Sequence, residues 1–339
     1  MQHMHPNPYS AKPRRLCVTL RSALWVPFAA FHAIVLAADL APYPGKPIRL
    51  VVPFAPGGSA DALARTIQPA LSDALGQALV IDNRPGASST IGTDMAAKPA
   101  PDGYTLVLAT TTHAVNPSLI PKLPYDTVKD FAAVSLVVSQ PNILVVHPSV
   151  AARSVQELVA LAKAKPNTLN FASGGSGSSP HLSGELFKIV AGVQITHVPY
   201  KGAGPGVTDL LGGHVQLMFA GPLALEQQIR NGRLRALAVA DKRRSPVLPE
   251  VPTMTEAGFP GVETGTWYGV LAPARTPPAR VAYLQRSIAR ILQAPALKSR
   301  ILHQGVDIVA SGSAEFEKFI IAEVAKWSRV VHEAGVRAD

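Results

Sequence analysis

The sequence predicts an α/β chain of two lobes, each a mixed, mainly parallel sheet flanked by helices, with a ligand cleft between the lobes. Three observations carry this. At 339 residues the chain has the length of two ordinary domains, each large enough to bury its own core without disulfides or metal. Hydrophobic residues make up 47% and charged residues 16%, the balance of a globular chain and not of a disordered one. Short apolar runs suited to buried strands alternate with stretches of helical spacing, and the alternation restarts midway along the chain.

The first 38 residues are set apart. Lys12, Arg14, Arg15 and Arg21 supply positive charge with no acid, and an apolar run over 23–38 follows. The run falls short of the roughly 20 apolar residues that span a bilayer, and it ends in the small residues Ala37, Ala38 and Ala41. This predicts a cleaved secretory signal peptide over 1–38, with an uncleaved anchor as the alternative. Leu16-Cys17-Val18 after the arginine pair fits a twin-arginine signal poorly, and Cys17 has no lipobox-like setting. Cys17 is the only cysteine, so a chain cleaved after it holds neither disulfide nor thiolate site. Of the formal charge of +10, the four basic residues of the leader leave +6. Lys242-Arg243-Arg244 is a short cluster without a basic stripe around it, so no nucleic-acid partner is expected.

Beyond a proline-rich lead-in, 48–52 is a strand that ends at Pro53. Gly57, Gly58 and Ser59 then turn the chain into a helix marked by Leu63, Ile67, Leu71 and Leu75, in which Pro69 is expected to introduce a bend. Strands follow at 79–81 and 104–108, each reached through a turn signal. In the second half, 169–172 leads through the glycine- and serine-rich run 173–180 into a helix over 181–190. Strands at 195–198, 215–219 and 234–239 then alternate with helices near 207–211 and 225–229. Two extended apolar stretches, 142–146 and 267–271, are the expected crossings between lobes. Helices over 278–292, 296–302 and 314–332 close the chain and are assigned to the first lobe. The resulting division is 39–145 with 266–339 as lobe 1, discontinuous, and 146–265 as lobe 2.

Candidate chemistry concentrates at the two glycine loops. At Gly57, Gly58, Ser59 and Ala60 the backbone is able to approach a ligand, and the first N–H groups of the following helix lack intrahelical partners, so the loop is an anion seat. A tight strand-to-helix turn with Ser59 as N-cap is the competing reading. No Lys-Ser or Lys-Thr follows, which removes a nucleotide-hydrolysing loop. Ser173, Ser176, Gly177 and Ser178 repeat the device in the second lobe, and two seats facing one cleft would clamp an anion. The run 174–178 nearly spells a nucleophile elbow, but Ser178 stands where the pattern requires Gly. Thr112, His113 and His181 join the candidate ligand-binding set, yet neither histidine has an evident acidic partner for a Ser/His hydrolase. Asp61 and Arg65, four residues apart, are expected to pair and brace the loop, with direct ligand contact by Asp61 the lesser possibility. Trp267 and Tyr268 wall the cleft or pack in a core; both readings stand. The ten histidines are scattered and form no helical ligand pair with acids, so no metal, no cofactor and no enzyme activity is expected.

Four ordered motifs then converge: Pro53-Phe54-Ala55-Pro56-Gly57-Gly58-Ser59-Ala60-Asp61, Asp82-Asn83-Arg84-Pro85-Gly86-Ala87, Pro101-Asp102-Gly103-Tyr104-Thr105-Leu106 and His197-Val198-Pro199-Tyr200-Lys201-Gly202. With Leu248-Pro249-Glu250-Val251-Pro252-Thr253 and Glu256-Ala257-Gly258, they make the chain resemble the tripartite tricarboxylate transporter substrate-binding family, the Bug receptors. The resemblance implies a periplasmic, two-lobed binding protein of type II-like, Venus-flytrap form. It implies capture of a small di-, tri- or aromatic carboxylate by main-chain and hydroxyl groups of both glycine loops, and delivery to the subunits of a tripartite tricarboxylate-type membrane transporter. A monomer that closes on its ligand is expected. A ligand sensor that signals to a membrane kinase is the alternative that sequence leaves open. The family commonly has an acid near the end of the 215–219 strand, where this chain has Gln216 and Ala220-Gly221-Pro222; if those positions line the cleft, that departure disfavours an amino-acid ligand and suits a plain mono- or dicarboxylate. N-terminal sequencing of the exported protein is expected to place cleavage within 37–41; a chain that keeps Met1 in the membrane fraction would establish an anchor.

Overall fold

The computed structural model describes residues 43–334; the expected leader, with Cys17, lies outside them. The first half of the chain runs through β1 (Ile48–Val52), α1 (Ser59–Leu75), β2 (Leu79–Asn83), α2 (Thr90–Ala97), β3 (Thr105–Thr110), α3 (Thr111–Leu119) and β4 (Phe131–Pro141). The middle comprises β5 (Ile143–Val146), α4 (Val155–Ala164), β6 (Asn170–Ser173), α5 (Ser179–Ala191), β7 (Thr196–Pro199), α6 (Ala203–Leu211), β8 (Leu217–Ala220), α7 (Pro222–Arg230) and β9 (Arg235–Val239). The chain ends with β10 (Gly265–Pro273), α8 (Pro278–Gln293), α9 (Pro295–His303), β11 (Asp307–Ile308) and α10 (Ser313–Ala334).

The strands form two sheets within one compact unit that begins at Pro44, a six-stranded sheet of order β11-β4-β10-β3-β1-β2 and a five-stranded sheet of order β7-β6-β8-β5-β9. This is the two-lobed α/β architecture, and both sheets are mixed. Neither is mainly parallel. Among the described residues, β1 pairs in parallel with β2 and β3, and β6 with β7 and β8. The strands next to the crossings, β4, β5, β9 and β10, run antiparallel to their neighbours. A strand that arrives from the other lobe does not come through a right-handed crossover helix, so nothing obliges it to run parallel.

The crossings are shorter than the apolar runs suggest. Val146 pairs with Leu217 and Arg235 inside the five-stranded sheet, and Trp267 pairs with Ser139 inside the six-stranded one. Residues 143–145, expected in the first lobe, therefore pair in the second sheet. The outward passage is Asn142 alone, between β4 and β5; the return is the segment 240–264 between β9 and β10. Backbone hydrogen bonds tie the two passages together: Asn142 N–H donates to the Thr264 carbonyl and Ala240 N–H to the Asn142 carbonyl, at 3.0 and 2.8 Å. The Asn142 amide further donates to the hydroxyls of Ser179 and Ser183 at 2.7 and 2.8 Å.

Alternation along the strands explains the packing. In β5, Leu144 and Val146 enter one core with Phe171, Phe187 and Phe219, while Ile143 and Val145 enter another with Val207, Leu210 and Met218. A sheet buried on both faces needs apolar residues at every position, which is why its strands read as unbroken apolar runs. In β10, Trp267 faces Phe316 and Phe319 of α10. Gly269 lies on the same face, and a Cβ there would overlap the Phe316 ring. Gly269→Val is therefore expected to overpack this face and lower the unfolding free energy by about 1–3 kcal/mol, read as a reduced urea midpoint; an unchanged midpoint would show that α10 is free to shift.

Candidate functional site

A small cavity, open to solvent at its mouth, lies between the sheets. Its wall includes Gly58, Ser59 and Ala60 at the start of α1, Thr110 and Thr112 at the start of α3, and Ser178, Ser179 and Pro180 at the start of α5. Ala203 contributes from the start of α6, and Ala220 and Gly221 from the start of α7. Five helix N-termini thus meet at one space, because α1, α3, α5, α6 and α7 each begin at the end of a strand or the short turn after it. At α1, α3, α6 and α7 the N-cap residue makes no side-chain capping bond. Only the Ser178 hydroxyl caps its own helix, accepting from His181 N–H. Phe54, Gly174, Thr266 and Tyr268 complete the wall, and none of these lining residues is charged. Backbone N–H groups and helix dipoles therefore set a positive potential without any cation.

The two sides of the cavity touch through backbone. Ala55 N–H donates to the Lys201 carbonyl at 2.9 Å. A Cβ at Gly58 would lie 3.1 Å from Gly204 N and 3.3 Å from the Cβ and N of Ala203, and a Cβ at Gly204 would overlap the Pro56 carbonyl. Glycine at 58 and 204 is what lets the loops approach.

Of the expected site residues, Gly58, Ser59, Ala60, Thr112 and Ser178 line the cavity, and Gly57, Asp61, His113, Ser173, Ser176, Gly177 and His181 do not. Gly57, at φ 84°, donates its N–H to Asp61 Oδ2 at 3.1 Å, and Arg65 Nε donates to the same oxygen at 2.9 Å. Burial alone would raise the Asp61 pKa, but hydrogen bonds from Arg65, Gly57 and Asn83 hold it below the usual carboxylate range. Asp61 thus braces the loop from behind and is not part of the cavity wall. Ser173 is fully buried; its hydroxyl accepts from Gly175 N–H at 3.1 Å and lies 2.7 Å from His197 Nε2. His181 accepts from Gly177 N–H through Nδ1 at 3.0 Å and stacks on His197 with centroids 3.9 Å apart, so the imidazole shapes the second loop. Ser176 is buried in that loop. Gly177, at φ 74°, packs where a Cβ would overlap Leu119.

The residues that motif reading misses sit on the far walls. Alternation of β10 resolves the Trp267 and Tyr268 question. Tyr268 faces the cavity, while Trp267 turns to the opposite face and donates its indole N–H to Glu323 at 3.0 Å. Thr110, Thr266 and Ala203 were findable as residues at strand ends beside helix starts, where ligands of α/β sheets gather. Phe54 stands inside the first motif, and Ala220 and Gly221 at the family departure. Gln216, by contrast, accepts from Asn170 N–H at 2.9 Å and is absent from the wall. Among the described residues, no group of three or more His, Cys, Asp or Glu side chains is placed to hold a metal ion.

Comparison with known proteins identifies the family. Residues 63–336 match the model of the tripartite tricarboxylate transporter family receptor. Protein BugT of Bordetella pertussis is 41% identical over 312 residues, covering 91% of this chain and 96% of BugT. An R. palustris protein solved with adipate is similar with a TM-score of 0.84 at 36% identity, over 88% of this chain and 100% of that one. MatC from Rhodopseudomonas palustris with bound malate gives a TM-score of 0.81 at 32% identity, over 85% of this chain and 100% of MatC.

His113 belongs to a core and not to the cavity. Its ring is stacked on Tyr125, edge-on to Phe131, and its Nε2 lies 3.0 Å from the Thr127 carbonyl. Burial lowers its pKa to about 4, the Thr127 contact offsetting part of that. The folded-state pKa thus lies below the unfolded value near 6.5, so the unfolded chain binds the proton first and stability falls as pH drops from about 6.5 towards 4. At roughly 1.4 kcal/mol per pH unit, this removes about 2–3 kcal/mol by pH 4.5. Urea unfolding at pH 7 and 4.5 is expected to show that loss in the wild type and to lack it in His113→Phe; equal losses in both would place the acid sensitivity elsewhere.

Proposed function

The chain belongs to the tripartite tricarboxylate transporter receptor family, a family of periplasmic solute-binding proteins and not of enzymes, and on that premise we propose that it captures a small carboxylate in the cavity and delivers it to a membrane transporter of the same tripartite class. The supporting observation is the wall itself: five helix starts from both sheets, hydroxyls of Ser59, Thr110, Thr112, Ser178 and Thr266, and no charged side chain. Such a space offers a carboxylate many donors and an ammonium group no carboxylate partner, and the adipate and malate held by the two R. palustris relatives are of that chemistry. With Ala220 and Gly221 in the wall, a plain mono- or dicarboxylate fits better than an amino acid. The seat formed by Gly58, Ser59, Ala60 and Ser178 holds one carboxylate, and the 1–38 leader directs export. Ligand binding draws the lobes together about the paired passages at Asn142 and Thr264.

The magnitudes suffice. A hydrogen bond to a charged group contributes about 1.5–3 kcal/mol and a partly buried helix terminus up to about 2. A few of each offset the cost of immobilising a small ligand and leave the roughly 8 kcal/mol of micromolar affinity. Calorimetric titration with adipate and malate, on protein refolded free of carried-over ligand, is expected to show micromolar binding of at least one. Gly58→Val, whose side chain meets Ala203 and Gly204, should weaken it a hundredfold or more. Arg84→Ala should bind as wild type, because Arg84 is paired with Asp82 on a half-exposed surface. Normal binding by Gly58→Val together with none by Arg84→Ala would replace the dipole seat with a guanidinium clamp.

A further inference from the structure

Tyr268 is buried in the cavity wall, and its hydroxyl accepts a hydrogen bond from Gln140 Nε2 at 3.0 Å. Gln140 lies in β4, beside the passage into the other lobe, and is itself buried. Its other amide atom, Oε1, accepts from Leu223 N–H at 3.3 Å. Leu223 stands in the first turn of α7, so its N–H has no intrahelical acceptor. Gly221, the N-cap of α7, makes no side-chain cap, and a Cβ on Gly221 would overlap the Gln140 amide. Gln140 therefore caps a helix of the opposite lobe by entering the space that a glycine leaves open.

This arrangement fixes a polarity. A backbone N–H only donates, so the Gln140 oxygen must face Leu223 and the Gln140 nitrogen must face Tyr268. The phenol oxygen is then an acceptor towards Gln140, and its single proton is left for the opposite side. There the hydroxyls of Ser59 and Thr266 hydrogen-bond with the phenol and share the cavity wall with it, so a bound carboxylate takes the proton in competition with them.

We propose that Gln140 is a positioning residue that turns the Tyr268 proton into the cavity, making the phenol a donor to a bound carboxylate, and that Leu223 N–H sets this orientation only when the lobes are closed. Burial supports the donor role, since it pushes the Tyr268 pKa well above the ordinary phenol value and keeps the proton in place. Closure thus both encloses the anion and aligns a hydroxyl towards it. The proposal rests on the carboxylate reading of the cavity.

Gln140→Glu separates positioning from structure. The new carboxylate still accepts from Leu223 N–H, so the helix cap is kept, but it also accepts from the phenol and draws the Tyr268 proton away. Titration with adipate at pH 8, or with malate if adipate gives no heat, is expected to show a tenfold or greater loss for Gln140→Glu and for Tyr268→Phe. In a Tyr268→Phe background, Gln140→Glu should cause no further loss. Wild-type affinity in Gln140→Glu overturns the proposal, and so does the same fold-loss in both backgrounds, which would reduce the effect to charge repulsion. Wild-type protein that binds neither acid removes the carboxylate reading and this inference with it, whereas wild-type binding with an indifferent Gln140→Glu removes the inference alone.

Discussion

The structure depends on backbone meeting backbone across the cleft. The first loop touches the start of α6 through the bond from Ala55 N–H to the Lys201 carbonyl and through the contact of Gly58 with Ala203 and Gly204. Side chains at those glycines would hold the lobes a methyl group or more apart. The cavity would then open to water, and the helix starts that line it would exchange a ligand for solvent. Close approach here is what allows N–H groups from two separate sheets to act on one small volume, where the lower local dielectric strengthens each of them.

Packing behind the wall serves that approach. Asp61 and Arg65 hold the first loop from within its helix, while Ser173, His181 and His197 hold the second. These polar side chains spend their hydrogen bonds on the loops and stand outside the cavity wall. Asn142 does the same at the crossing, where one amide reaches the hydroxyls of Ser179 and Ser183 while its backbone ties the two passages. Ser179 is also part of the cavity wall, so the crossing and the site share a hydrogen-bonded connection.

Much of this was legible in the sequence, and the misses have physical causes. Apolar spacing and prolines mark the limits of β1 to its residues and of α8 to within one residue. α3 was unread, since Thr111, Thr112 and Pro117 make it a poor helix in isolation and its place beside α10 supports it. α4 carried a usable signal in Ser154, whose hydroxyl accepts from Glu157 N–H as a capping residue should. For the site, glycine loops pointed to the right strand ends but not to which side chains face inward. Asp61, His113 and His181 attract notice as chemical groups, and all three are committed elsewhere. Tyr268 required the strand's alternation to be known, and the Gln140 contact joins residues 128 positions apart, beyond the reach of any local pattern.

A wall that contains no ionisable group except a phenol held protonated has one more consequence. Peptide N–H groups and aliphatic hydroxyls keep their protons throughout the physiological range, so the receptor side of the interaction does not titrate there. If the ligand is the carboxylate proposed above, what changes with acidity is the ligand: a carboxyl that gains a proton loses its charge and the attraction of the helix starts. On the proposed carboxylate reading, the pH profile of capture above the acid-unfolding range set by His113 is the acid's own dissociation curve, and the wall would select among acids by their intrinsic strength.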